Sequence, residues 1–125
     1  MAQDTGDKAP VRRNEGYEDL RELLEIFDEM GEVAHVNGAD WNLEVGAISE
    51  MTAADNPGRA KAMLFDNIPG YPEGFRILSG GANALKRLAV VLGLPEPTDE
   101  IDLVQSYREN SKKKFELIPP REVST

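Results

Sequence analysis

The four consecutive apolar residues Ala62-Met63-Leu64-Phe65 constrain this chain more than any other feature. The run is too short for an independent helix and is bounded by loop residues, so it reads as a strand buried in a core. A buried strand needs neighbours, and two further segments can supply them. Glu32-Val33-Ala34-His35-Val36 is rich in β-branched residues and stops at Asn37-Gly38, a dipeptide that tolerates positive φ, which predicts a strand. Phe75 to Leu78 predicts a third.

Between and around these strands the hydrophobic period changes to that of a helix. Tyr17, Leu20, Leu24 and Phe27, flanked by Leu23, Ile26 and Met30, recur at three- and four-residue steps. Glu15, Glu18 and Asp19 place negative charge at the start of this helix, and Gly31 stands where a left-handed cap is usual. A second helix, capped by Asp40 or Asn42, is expected through about Ala54, with Leu43, Ala47, Ile48 and Met51 as its buried face and Asn56-Pro57-Gly58 as its end. After Ser79-Gly80-Gly81 a third helix is expected from about Asn83 to Leu92, with Leu85, Leu88, Ala89 and Leu92 inward and Gly93 and Pro95 ending it. A last helix starting at Thr98 would use Ile101, Val104 and Tyr107 as its apolar side.

The resulting order of helix, strand, helix, strand, strand, helix, helix predicts an α+β fold: one small mixed β-sheet covered by helices, in a single domain. With 125 residues, 40% of them hydrophobic, there is material for one core and too little for two. Residues 1–16 are polar and without periodicity, which predicts a mobile arm; 17–111 form the domain. Residues 112–125, with Lys112-Lys113-Lys114 and Pro119-Pro120, read as an extended connector. No internal repeat is visible.

Composition narrows the function classes. A net charge of −9 repels phosphate backbones and anionic lipids, which disfavours generic nucleic-acid or membrane binding. The absence of cysteine removes disulfides, thiolate nucleophiles and cysteine-ligated metals. Met1 to Asn14 has no apolar core of the kind a secretory signal needs, and no stretch approaches the roughly 20 apolar residues of a membrane span. The expected location is the cytoplasm.

Candidate chemistry is sparse. His35 is the only histidine, and no spacing gives it an orienting partner and a nucleophile, so a structural or surface role is preferred. Ser79-Gly80-Gly81-Ala82-Asn83 joins a strand to a helix, where free N–H groups can hold a phosphate, but it lacks the lysine of a P-loop and the spacing of a dinucleotide fingerprint; a tight turn is the simpler reading. Asp66-Asn67 follows a strand end, a common ligand position, and is equally suited to closing a turn. Glu18, Glu22, Glu25 and Glu29 read as a solvated helix face rather than a cation site, which needs oxygens converging from a loop. The basic run at Lys112 to Lys114 reads as linker. Trp41 either covers the core near the second helix or anchors an interface. No catalytic, cofactor-binding or metal-binding residue is assigned.

Taken together and in order, several segments resemble the opening domain of the UbiD-like decarboxylases. They are Asp19-Leu20-Arg21, Gly31-Glu32-Val33, Leu43-Glu44-Val45-Gly46-Ala47-Ile48 and Ala62-Met63-Leu64-Phe65-Asp66-Asn67-Ile68, followed by Arg87-Leu88-Ala89 with Leu92-Gly93, and Pro119-Pro120-Arg121-Glu122-Val123. The Ser79-Gly80-Gly81 turn departs from the family's common wording, which has an asparagine after the strand.

The resemblance, which runs from about Tyr17 to Val123, implies a reversible, non-oxidative decarboxylation of an aromatic or α,β-unsaturated carboxylic acid. It further implies prenylated FMN, a divalent metal (Mn or Mg) and potassium in the complete enzyme. In that family the cofactor ligands and the catalytic Glu-Arg-Glu group lie in a central flavin-binding domain, to which residues 112–125 correspond as a connector. The implied role is therefore a domain or small subunit that packs on a flavin-binding partner, within a homo-oligomer of the complete enzyme, without the catalytic groups. A stand-alone non-catalytic interaction or regulatory module with the same fold is the alternative, and an enzyme active as this isolated chain ranks third.

Overall fold

The structure, a computed structural model, describes residues 16–113 and 119–124. Helix α1 (Leu20–Glu29) leads into strand β1 (Val33–Asn37), helix α2 (Glu44–Asp55) and strand β2 (Ala62–Asp66); strand β3 (Ile77–Ser79), helix α3 (Leu85–Val91) and helix α4 (Glu100–Ser111) follow. The sheet order is β1-β2-β3, with β1 and β2 parallel and β2 and β3 antiparallel. This is the expected α+β arrangement on a mixed sheet. The arm expected for residues 1–16 lies outside the described residues except for Gly16, as does most of the connector's first half.

β2 is central, and Ala62 to Phe65 are all buried. Its register explains how both faces are used: Val33 pairs with Ala62 and His35 with Leu64, while Ala34 pairs with Met63 and Val36 with Phe65. Side chains alternate across a strand, so Val33 and Leu64 share one face, where they pack with Leu23, Ile26 and Phe27 of α1 and Val90 of α3. Met63 and Phe65 share the other face with Ala34, Val36 and the inner residues Val45 and Ile48 of α2. A third cluster, Ala89, Leu94 and Leu103 with Leu85, Leu88 and Leu92, joins α3 to α4.

Local signals set the ends of α1 and α3 by the same device. Gly31 and Gly93 have φ of 71° and 64°, left-handed values that glycine adopts without cost to a Cβ. Beyond each, a paired bond closes the last turn: Gly31 N to Asp28 O with Glu32 N to Phe27 O, and Gly93 N to Val90 O with Leu94 N to Ala89 O. The first reversal fixes where Glu32 stands, and the second seats buried Leu94 against Ala89.

At the start of α1 the Asp19 carboxylate accepts from Arg21 N at 2.8 Å and Glu22 N at 3.0 Å. The Glu22 bond, against a smaller effect of desolvation, holds the Asp19 carboxyl below the ordinary carboxylate range. A depressed folded-state pKa contributes stability that is full above the unfolded value, about 3.9, and is lost as pH falls through the lowered value. Thermal melts should therefore show Asp19→Ala less stable than wild type at neutral pH, with the gap closing in strong acid. A gap that persists unchanged in acid would assign the effect to something other than this carboxylate.

The helices depart from expectation in which faces they bury. For α2 the expected inner set was Leu43, Ala47, Ile48 and Met51; Leu43 is 73% and Met51 65% exposed, Ala47 is exposed, and only Ile48 is half-buried. For α4 the expected Ile101, Val104 and Tyr107 are exposed and Leu103 is buried instead. In α3 the expected Leu85, Leu88, Ala89 and Leu92 do face α4, but Arg87 and Val90 form a second buried face. In both α2 and α4 apolar residues occur on more than one side, so local periodicity could not choose between faces that differ only in what covers them. The caps also shift. Asp99, not Thr98, caps α4 by accepting from Asp102 N at 2.8 Å, while Thr98 N donates back to Asp102 Oδ2 at 2.8 Å. Asp40 rather than Asn42 organises the approach to α2, accepting from Asn42 N and donating its own N–H to Glu44 Oε2.

Candidate functional site

Among the described residues three places hold polar groups that the fold brings together, and a fourth set of candidate residues faces outward. The first is a hollow of about 180 Å³ between α1 and the sheet, lined by Arg21, Leu24, Glu25, Asp28, Val33, His35, Leu64 and Arg76. Within it the Gly31 reversal folds β1 back along α1 and sets His35 Nε2 at 3.0 and 3.1 Å from the two Asp28 carboxylate oxygens. Asp28 was not foreseen as a partner, because a seven-residue separation carries meaning only once the chain has turned. Among the described residues no serine, threonine, cysteine or tyrosine lines the hollow, so none of them offers the pair a nucleophile to activate. With both side chains half exposed, it ties the end of α1 to β1 as a surface contact.

The second is Arg87, the single charged side chain fully buried among the described residues. Its Nη1 donates to Glu32 Oε2 at 2.6 Å. Nη2 is directed at Ala60 O and Asn83 Oδ1, both at 2.5 Å, and at Gly80 O at 3.2 Å, while Nε donates to Gly81 O at 3.2 Å. Burial pulls the guanidinium below its ordinary pKa and the Glu32 charge opposes that pull. The fork thus joins the α1–β1 turn, the approach to β2, the loop after β3 and α3. One signal for this was present: Arg87 lies on the same helical face as Val90 and Val91, an arginine inside an apolar stripe.

Arg87 also decides the chemistry of Ser79 to Asn83. The carbonyls of Gly80 and Gly81 face the guanidinium, so the loop offers acceptors to a cation instead of an N–H cradle to a phosphate. Gly80 is favoured there by its φ of +70°, and a Cβ would also press on the Asn83 side-chain amide at 2.9 Å.

The third place is the paired end of β1 and β2. Asn67 adopts φ of 50°, its N–H donates to Asp66 Oδ1 at 2.8 Å, and its side-chain amide donates to Asn37 Oδ1 at 2.9 Å. Gly38 N closes on Asp66 O at 3.0 Å. Asp66-Asn67 therefore closes a turn and locks the two parallel strand ends together.

The fourth set is outward-facing. Trp41 is 53% exposed and does not cover the core. On α1, Glu25 and Glu29 are exposed and Glu22 Oε2 accepts from Glu18 N at 2.7 Å, an arrangement of solvated carboxylates. Lys112 pairs with Glu109 at 2.8 Å; Lys114 lies outside the described residues. Among the described residues no group of three or more His, Asp or Glu is placed to hold a metal ion. The hollow does not fit a flavin either: pockets that enclose molecules of that size span roughly 300 to 1,000 Å³.

A three-stranded mixed sheet between α1 and α3 on one face and α2 on the other, with its buried charge spent on internal ties, defines a small α+β domain. The family model for the 3-octaprenyl-4-hydroxybenzoate carboxy-lyase N-terminal domain matches residues 24–106, and the chain belongs to that family. Among solved structures, the vanillic acid decarboxylase ShVdcCD of Sedimentibacter hydroxybenzoicus in open form is similar, with 25% identity and a TM-score of 0.68 over 84% of this chain and 22% of that one. The open form with truncated ShVdcD gives 26%, 0.67, 83% and 21%. The closed form gives 26%, 0.54, 69% and 18%. The chain thus spans about a fifth of the length of the solved chains it matches. A search of curated proteins gave no significant match. No helix among the described residues is long and apolar enough to cross a membrane.

Proposed function

We propose that this chain is a structural part of a UbiD-like, prenylated-FMN-dependent decarboxylase that acts reversibly and without net oxidation on aromatic or α,β-unsaturated carboxylic acids. The observation that carries this reading is the joint match of the family model over residues 24–106 and of the fold to about a fifth of a vanillic acid decarboxylase chain. The rest of such an enzyme would hold prenylated FMN, a divalent Mn or Mg ion and potassium, in a cytoplasmic homo-oligomer. A flavin-binding domain or subunit is the partner. The cofactor would supply the electron sink for loss of carbon dioxide, whereas this domain contributes packing and, through the locked strand ends at Asp66-Asn67, one wall of the substrate cleft.

The test uses the protein as its host makes it. The assembly containing this chain should carry a flavin chromophore and exchange ¹³C from labelled bicarbonate into the carboxyl group of at least one acid from an aromatic and α,β-unsaturated panel. The purified 125-residue chain should take up no prenylated FMN. An assembly without flavin would sink the decarboxylase reading. Uptake of the flavin by the chain alone would overturn its non-catalytic role.

A further inference from the structure

Among the described residues, α2 is the one long helix that buries no residue within this fold. Its sheet-facing side is formed by Val45 and Ile48, which are half-buried against Met63 and Phe65. At about 100° per residue, Leu43, Ala47, Met51 and Ala54 fall within a single stripe on the opposite side of the helix. All four are exposed, Leu43 and Met51 among the most exposed large apolar side chains. A surface helix normally turns charge to solvent on that side. Here the flanks carry Glu44, Glu50 and Asp55, and no lysine or arginine occurs from Leu43 to Gly58. The exposed stripe of α4, by contrast, is interrupted by charge: Glu100 precedes Ile101, and Arg108 lies one turn beyond Val104.

Two observations select what covers the stripe. A second copy would bring acid against acid, because the helix is acidic at its rim and the whole chain carries −9. The solved relatives place a unit of this fold in chains of which it is 21–22%, so most of each of those chains lies outside the matched unit.

We propose that the outer face of α2, centred on Leu43 and Met51, is the surface on which this domain seats against the flavin-binding portion of the enzyme, which presents an apolar patch rimmed by lysine or arginine. The inference rests on the decarboxylase reading above and adds to it the face that docks. An apolar centre excludes water, and the acidic rim sets orientation and rejects like-charged surfaces.

A photoreactive side chain installed at Met51, in the protein as its host produces it, should cross-link to the flavin-binding portion, whether that portion is in the same or another polypeptide. The parallel probe is the same side chain at Ile101 on α4. A paired Leu43→Glu and Met51→Glu variant should lose association with the flavin-binding portion tenfold or more, while its thermal melt as an isolated chain stays unchanged, since neither residue is buried there. A cross-link from position 51 to position 51 of another copy overturns the proposal in favour of self-association. So does an assembly that survives the paired glutamates. Cross-links to the flavin-binding portion from position 101 and not from 51 overturn the assigned face and leave the decarboxylase reading standing. No flavin-binding portion captured from either position overturns both.

Discussion

Replacing Arg87 by methionine is expected to lower the thermal midpoint of the chain by roughly 10 to 20 °C, or to leave it unfolded at 37 °C. Five hydrogen-bonding contacts converge on this guanidinium, from Glu32, Ala60, Gly80, Gly81 and Asn83. Removing it strands the Glu32 carboxylate and three backbone carbonyls, that of Ala60 fully buried and those of Gly80 and Gly81 half-buried. Breaking a buried pair by deleting one partner costs about 3 to 5 kcal/mol. Domains of this size hold only about 5 to 15 kcal/mol in total, and each kcal/mol lost moves the midpoint by a few degrees. The loss should be smaller when Glu32→Leu accompanies Arg87→Met, because no unpaired carboxylate then remains. Circular-dichroism melts of the two variants decide it: a single Arg87→Met variant that melts within about 2 °C of wild type would show that the fork is not what holds the α1–β1 turn, the approach to β2 and the loop after β3 to α3.

Phe65→Ala should be nearly as damaging, at about 3 to 5 kcal/mol, for a different reason. The ring is completely buried on the α2 face of the central strand, packed with Ala39 and Met63, and truncation leaves a cavity that a strand held on both edges cannot collapse to fill. Met51→Ala, only three residues along α2 from Ile48 of the same cluster, should change stability by no more than about 0.5 kcal/mol. Urea denaturation of both variants measures the contrast. If Met51→Ala cost as much as Phe65→Ala, the outer stripe of α2 would have to be covered within the chain itself, and its assignment as a docking face would fall with that result.

The same contrast shows where local reasoning reaches its limit. Gly31 and Gly93 were legible as caps because a left-handed residue after an apolar stripe depends only on its immediate neighbours. The Gly38 turn and the burial of Ala62 to Phe65 were legible on similar grounds, and the segments between Gly31 and Gly93 that resemble the UbiD-like opening domain fall within the family match over residues 24–106. The buried faces of α2 and α4 were not legible. Leu43 and Met51 are as apolar as Val45 and Ile48, and nothing in their spacing says which pair meets Met63 and Phe65. Asp28 and His35 looked unrelated until the reversal at Gly31 placed them 3.0 Å apart.

By itself, the sequence determined the kinds and order of the elements, their mixed sheet and the family, since turn chemistry, capping and hydrophobic period act over a few residues. Tertiary structure alone decided which distant segments Arg87 would join, that the Gly80 and Gly81 carbonyls would answer a cation, and that one apolar side of α2 would stay open. Those outcomes depend on which distant segments share a space, and burial, pairing and exposure are properties of that shared space.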